Sequence, residues 1–306
     1  MTTNFWLVIL GLKEFNKLGC DLDQLGSLGG QGVLKSVKKA FVVFDLLASN
    51  PEGLGVTEIA KQIGISKSTA SRILSTFQAQ ELVLKVAGRR YQLGPKILQW
   101  ASTFIANVDI GIVALPYLWE LRKRTGETAS VFVRRGDRRV CIQRVQSFHG
   151  IRHVLEVGEQ LPLHAGAAGK VLLAYMPEEE RRDFLRRVTL GEFTPRTITS
   201  VSELEKELAK IREEGAAVSY EERVPLAASV AAPVRDYKGD VVAAVCISGP
   251  MSRLRGNKLQ HYIPLLKDVA AQISRRLGFS SHGLGVEAWQ MKGDKIPVAG
   301  GERKLR

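Results

Sequence analysis

Three residues, Gly64-Ile65-Ser66, separate two stretches that each carry the apolar period of a helix, and this gap constrains the fold more than any other feature. Before it, Thr57 stands where a cap belongs, and Ile59, Ala60 and Ile63 fall on one side of a helix that Gly64 ends. After it, Ser66 caps a helix running to about Gln80. At ~100° per residue, with Lys67 as zero, Ala70, Ile73, Leu74 and Phe77 lie between roughly 240° and 340°. Lys67, Ser68, Ser71, Arg72 and Ser75 fill the complementary arc from about 0° to 140°. A further apolar stripe, Val37, Ala40, Phe41, Phe44 and Leu47, precedes both helices, and Pro51, Gly53 and Gly55 break the chain between.

Two helices joined by a short turn containing Gly, the second offering hydroxyls beside cations, make a helix-turn-helix. Small side chains let such a helix settle deep in a major groove. There Ser and Thr bond phosphates or base edges, and Arg72 can fork onto guanine. "VLKVAGRRYQL" then alternates apolar and polar residues across a Gly-Arg-Arg tip. That is the pattern of a two-stranded wing, whose Arg89 and Arg90 lie over phosphate or reach into a minor groove. Between residues 61 and 96 seven cations stand against Glu81 alone, which favours contact with duplex DNA over a merely solvated face.

The 306 residues carry a formal net charge of +13, which suits nucleic acid, an acidic partner or an anionic surface. Cys20, Cys141 and Cys246 show no C-x-x-C spacing and no companion His cluster, so neither a disulfide framework nor a metal site is expected. The apolar run "FWLVILGL" (5–12) is far shorter than the ~20 residues of a bilayer span. A cytoplasmic protein without a membrane partner is the expectation. Composition divides the chain into an N-terminal extension (1–32), a winged helix-turn-helix domain (33–95), a helical stretch (96–125), mixed strands and helices from there to about Phe279, and a tail expected to be disordered (280–306). Ile97, Leu98, Ala101, Ile105 and Val108 share one side of the helix from residue 96, which either a partner helix or its own domain would cover.

In the larger domain, "ASVFVRRGDRRVCIQRV" predicts a hairpin about Arg135-Gly136-Asp137, and "SVAAPVRD" with "DVVAAVCIS" a second about Lys238-Gly239. Ser202 and Glu205 stand at capping-box spacing, ahead of an apolar stripe of Leu204, Leu208 and Ile211. Strands and helices mix without regular βαβ alternation, so the fold class expected is α+β with a mainly antiparallel sheet. "HAGAAGKVLLA" fails the phosphate-loop pattern, because His164 and Val171 occupy places that need Gly and Ser or Thr. Its small residues still lead into a helix whose first N–H groups make a general anion site. Arg122, Lys123, Arg124, Arg134, Arg135, Arg138, Arg139 and Arg144 form a basic cluster, read by default as a solvated surface, with a tetramer contact or a second phosphate-binding strip as alternatives.

The stretch "SVKKAFVVFDLLASNPEGLGVTEIAKQIGISKSTASRILSTFQAQELVLKVAGRRYQLG" resembles the winged helix-turn-helix of IclR-type transcriptional regulators. The likeness continues through "LPLHAGAAGKVLLA", "APVRDYKGDVVAAVCISGP" and "DVAAQISRRLG". It implies a linker helix (96–111) used in dimerisation and a GAF-like C-terminal domain (112–279) holding a small carboxylate effector. It also implies a homodimer or homotetramer on a palindromic DNA operator, with no cofactor. The DNA-binding set is then Ser36, Ser66, Lys67, Ser68, Thr69, Ser71, Arg72, Ser75, Arg89 and Arg90. Backbone groups of Ala167 and Ala168 would hold the effector, with Ser219, Ser229, Cys246 and Ser248 lining the pocket and Leu155 and His153 walling it. Leu226 and Ser229 stand where many relatives carry Gly and Cys, so effector identity does not transfer. Glu221 and Glu222 look like the family's acidic pair, although two carboxylates on a solvated loop are unremarkable. An architectural nucleic-acid binder without an effector is the alternative. An enzyme is disfavoured, since neither H-E-x-x-H nor G-x-S-x-G occurs.

Overall fold

The computed structural model describes residues 34–152, 155–254 and 258–280, so the expected extension (1–32), His153 and all but the first residue of the expected tail (280–306) lie outside the described residues. Two compact units divide between Leu98 and Gln99. The first runs α1 (Lys35–Ala48), β1 (Leu54–Gly55), α2 (Val56–Ile63), α3 (Lys67–Ala79), β2 (Val83–Val86) and β3 (Arg90–Leu93), with an antiparallel sheet in the order β1-β3-β2. Ile59, Ala60 and Ile63 from α2 meet Ala70, Leu74 and Phe77 from α3 in its core, and the Phe77 ring lies 4.0 Å from that of Phe44.

Local chemistry sets the helix ends. Gly64 closes α2 at φ 67°, a left-handed conformation that costs a residue with a Cβ, and its N–H donates to Ala60 O. Ser66 caps α3: its Oγ accepts from Thr69 N at 3.1 Å, a bond that contributes about 1 kcal/mol. Two expectations shift. The N-cap of α2 is Gly55 rather than Thr57, because the Glu58 carboxylate accepts from Gly55 N at 2.8 Å and starts the helix earlier. In α1 the buried positions are Val43, Leu46 and Leu47, whereas Val37 and Phe41 are exposed, since core packing gathers in the helix's last turns.

The linker stripe is also interrupted. Helix α4 (Lys96–Asn107) ends before Val108, and α5 (Ile110–Thr125) begins anew because the Asp109 carboxylate accepts from Gly111 N at 2.7 Å and Ile112 N at 3.2 Å. On α4, Leu98, Trp100, Phe104 and Ile105 are exposed.

In the second unit β4 (Thr128–Arg135), β5 (Arg138–Val145), β6 (Gln160–Pro162), β7 (Ala217–Tyr220), β8 (Ala227–Arg235) and β9 (Val241–Pro250) form one antiparallel sheet in the order β6-β5-β4-β9-β8-β7. Both anticipated hairpins are present. Alternate side chains feed two cores. On one face α6 (Ala167–Ala174), α7 (Glu178–Arg187) and α8 (Val201–Glu214) pack against Phe132, Cys141, Ala231 and Cys246. On the other, α5 and α10 (Lys258–Arg276) pack against Val131, Val230, Val245 and Ile247, with the short α9 (Met251–Leu254) joining this layer through Leu254. The cap of α8 is Ser200, whose Oγ accepts from Glu203 N at 3.5 Å, rather than Ser202. Ser200 and Glu203 have the same capping spacing as Ser202 and Glu205, and the earlier pair lengthens the helix. Among the described residues no single helix is long and apolar enough to cross a membrane.

Candidate functional site

On α3, Lys67, Ser68, Ser71, Arg72 and Ser75 are exposed, while Ala70, Leu74 and Phe77 are buried. The division worked out from angles is thus the division observed. Ser66 and Thr69 play a different part from their neighbours. The Ser66 hydroxyl is shared among Thr69 N, Thr69 Oγ1 at 2.9 Å and Ser68 Oγ at 2.9 Å, so this trio stiffens the start of the helix. Ser36 lies exposed in the first turn of α1.

The wing divides its two arginines. Gly88 and Arg89 both take positive φ, 72° and 60°, which makes the tight tip and leaves Arg89 exposed. Arg90, expected beside it over phosphate, turns back: its Nε and Nη2 donate to Gly53 O at 2.9 and 2.7 Å, and Glu58 lies 3.6 Å away. Its guanidinium staples β3 to the turn before α2, where a carbonyl and a carboxylate outcompete water.

The second unit holds a cavity of about 50 Å³ between the start of α6 and the sheet. Leu155, Ala167, Ala168, Ser219, Ser229, Cys246 and Ser248 all line it, so the structure brings together every described member of the effector set. Ser219 pairs with Ser229 and Ser229 with Ser248, so three hydroxyl side chains stand in one row across β7, β8 and β9. Leu155 is buried but lies in an irregular segment rather than a strand. The helix-start donors are already engaged. Gly166 N donates to Glu222 Oε2 at 2.8 Å, Ala167 N reaches Ser229 Oγ at 3.4 Å, and the Ala168 amide is bonded to the Cys246 sulfur. Burial pushes the Cys246 thiol up to about 12, so it lines the cavity as a neutral group.

Three charged side chains also line the cavity: Glu222, one of the acidic pair noted in the sequence, and Arg223 and Arg139, which the sequence reading did not place there. Glu222 is buried, not on a solvated loop: its Oε1 lies 2.6 Å from Lys170 Nζ, which also donates to Glu207 at 2.7 Å and to Val218 O at 2.8 Å. Lys170, the residue that gave "GAAGK" its phosphate-loop look, is therefore committed to structure. Arg223 lines the cavity, with burial lowering its pKa and Glu159 opposing. Arg139, placed in a surface cluster by the sequence reading, is only 4% exposed and lines the same cavity. Its period-2 relation to buried Cys141 on β5 was the available signal. His164 offers Cys246 no catalytic partnership in the hydrogen bonds it makes, since its Nε2 is bonded to Gly191 O at 2.9 Å and burial lowers its pKa. Among the described residues no three His, Cys, Asp or Glu side chains gather in a group that could hold a metal ion.

Residues 36–87 match the IclR helix-turn-helix domain, and residues 102–275 match the bacterial transcriptional regulator IclR C-terminal domain. The chain belongs to the IclR family. It is 32% identical over 81% of its length to the HTH-type transcriptional regulator XynR of Escherichia coli K12, covering 98% of that protein. It is 31% identical over 81% of its length to the HTH-type transcriptional repressor AllR of the same strain, covering 92% of it. Among solved structures, the Agobacterium tumefaciens repressor BlcR superposes with a TM-score of 0.72 at 26% identity, over 82% of this chain and all of that one. This IclR-family chain is accordingly a DNA-binding transcriptional regulator with a C-terminal effector domain, not an enzyme.

Proposed function

We propose that this regulator works in the cytoplasm as a homodimer or homotetramer on a palindromic operator, and that a small carboxylate in the 50 Å³ cavity changes its hold on DNA. The observation that carries the reading is the outward face of α3, five exposed hydroxyl and cationic residues backed by a buried apolar stripe. Lys67, Ser68, Ser71, Arg72 and Ser75 read the major groove; Ser36 and Arg89 hold phosphate. Ser66 and Thr69 order the helix, and Arg90 shapes the wing. The exposed apolar side chains of α4 supply a surface for a second copy, which a palindromic site requires. A coupling of ~1–3 kcal/mol between effector and operator changes affinity some 5- to 150-fold.

The test is a fluorescence-anisotropy titration of the full chain against fragments of its own promoter region over a range of salt. Arg89→Ala is expected to weaken all sequences alike and to lower the salt slope by ~0.9 for one lost phosphate contact. Arg72→Ala is expected to cost about 1–3 kcal/mol on the preferred site and to relax its base preference. An unchanged slope and an unchanged preference together would remove α3 and the wing from the interface. If no organic acid alters operator affinity, the architectural alternative takes the place of effector control.

A further inference from the structure

The buried guanidinium of Arg139 feels the charges of Glu222 and Glu159 but is paired directly with neither. Its Nη1 donates to Pro162 O at 3.0 Å and Ala165 O at 2.6 Å, and its Nε has no hydrogen-bond partner. No ion pair joins it to a carboxylate among the described residues. Glu222, the acid on the cavity wall, is taken up by Lys170 and by Gly166 N, and Arg223 has Glu159 acting on it. Burial lowers the Arg139 pKa only to about 10, so the group stays cationic at neutral pH. A buried cation without an anion is costly, and proteins keep one where a ligand completes it.

Its seat is built. A Cβ at Gly169 would collide with Arg139 Nη1 and the Leu163 carbonyl, and one at Gly166 would come within 2.9 Å of Nη2. The two glycines thus let the head group lie against the start of α6, and Phe132 backs it with its ring centroid 5.4 Å away. The serine row and Cys246 present neutral hydrogen-bonding groups elsewhere in the same cavity. Ser130 Oγ, on the β4 residue opposite Cys246, is a second buried polar atom on this face without a partner. Helix-start amides are the obvious alternative anchor for an acid, but Glu222, Ser229 and Cys246 already engage the first three.

We infer that Arg139 is the effector's counter-ion, and that the effector is a singly charged short-chain acid carrying an oxo or hydroxyl group for the serine row. The inference rests on the effector reading above and narrows it. One cation without a directly paired carboxylate calls for one negative charge, and a second would face Glu222. A cavity of about 50 Å³ takes some three to five waters, which for covalently joined atoms means a ligand of about four to six non-hydrogen atoms.

The probes are glycolate, lactate and pyruvate, with oxalate as a dianion of similar size and lactamide as a neutral isostere, titrated calorimetrically into the purified full chain. At least one of the three monoanions is expected to saturate the protein, with oxalate and lactamide about 10- to 100-fold weaker. Arg139→Met should weaken the bound monoanion by a similar factor, while Arg139→Lys, which keeps the charge, should retain part of the affinity. Circular dichroism identifies a variant that fails to fold, in which case the Lys variant and the oxalate and lactamide ratios carry the comparison. The inference is overturned if the Met variant binds the acid like the parent, if oxalate or lactamide binds equally well, or if all three monoanions fail. Operator binding, measured on the same preparation, separates the failures: a protein that holds its operator but ignores these acids loses this inference alone. One that ignores DNA loses the wider reading.

Discussion

Lys170→Met is expected to destabilise the C-terminal unit by about 3–5 kcal/mol, because it strands the Glu222 carboxylate in a site shielded from water. The lysine is 1% exposed and Glu222 7%, and their atoms meet at 2.6 Å. Glu207, the other carboxylate on Lys170, has a side chain 26% exposed and can take up water in compensation, so most of the cost falls on Glu222. The double variant Lys170→Met, Glu222→Gln removes the stranded charge and should recover part of the loss. The coupling expected for such neighbours is about 0.5–3 kcal/mol. Urea unfolding followed by fluorescence measures each corner of the cycle. A single-variant cost below about 1 kcal/mol would show that water reaches Glu222 and that the pair behaves as a surface bridge.

This buried pair marks the limit of what the sequence made legible. Period 3.6 located α2 and α3 and the stripe through Leu74, because a helix repeats its environment every turn and Gly64 punctuates it. Period 2 and a Gly at each turn located the β4-β5 and β8-β9 hairpins. Effector residues on β7, β8 and β9 came by family likeness, and strand register then set three of them in a row. Polar residues whose partners are distant in sequence stayed hidden. Glu222 and Lys170 are 52 residues apart, and Arg139 and Ala165 are 26. A charge pattern alone cannot tell such a residue from a solvated one. Arg139 was counted with surface cations for that reason, although its alternation with Cys141 already placed it on the inward side of β5. The bond from Arg90 to Gly53 O was hidden in the same way, since nothing local announces that acceptor. Cap positions moved by two residues, from Thr57 to Gly55 and from Ser202 to Ser200, where a second candidate with suitable spacing stood just upstream.

Leu74→Ala should abolish operator binding without touching the DNA-facing surface. Leu74 is fully buried in the apolar stripe of α3 that backs the exposed arc of Ser71 and Ser75. Truncation in such a position costs about 2.7–5 kcal/mol, part transfer and part cavity. A domain of about 60 residues buries only ~60% of its unfolded surface and has little stability to spare, so a loss of that size empties most of the folded population of the N-terminal unit. The recognition face then has no rigid backing, and its five side chains no longer reach one groove together. Ser75→Ala, on the exposed arc of the same helix, should change stability by less than about 0.5 kcal/mol. Thermal unfolding by circular dichroism, read beside anisotropy with promoter DNA, separates the two variants. The Leu74 variant should lose a low-temperature part of the helical signal and all specific binding, while keeping acid binding in the cavity between α6 and the sheet. If instead Leu74→Ala left operator affinity within about threefold of the parent, a change under ~0.7 kcal/mol, the packing behind α3 would not be what holds its reading face in place.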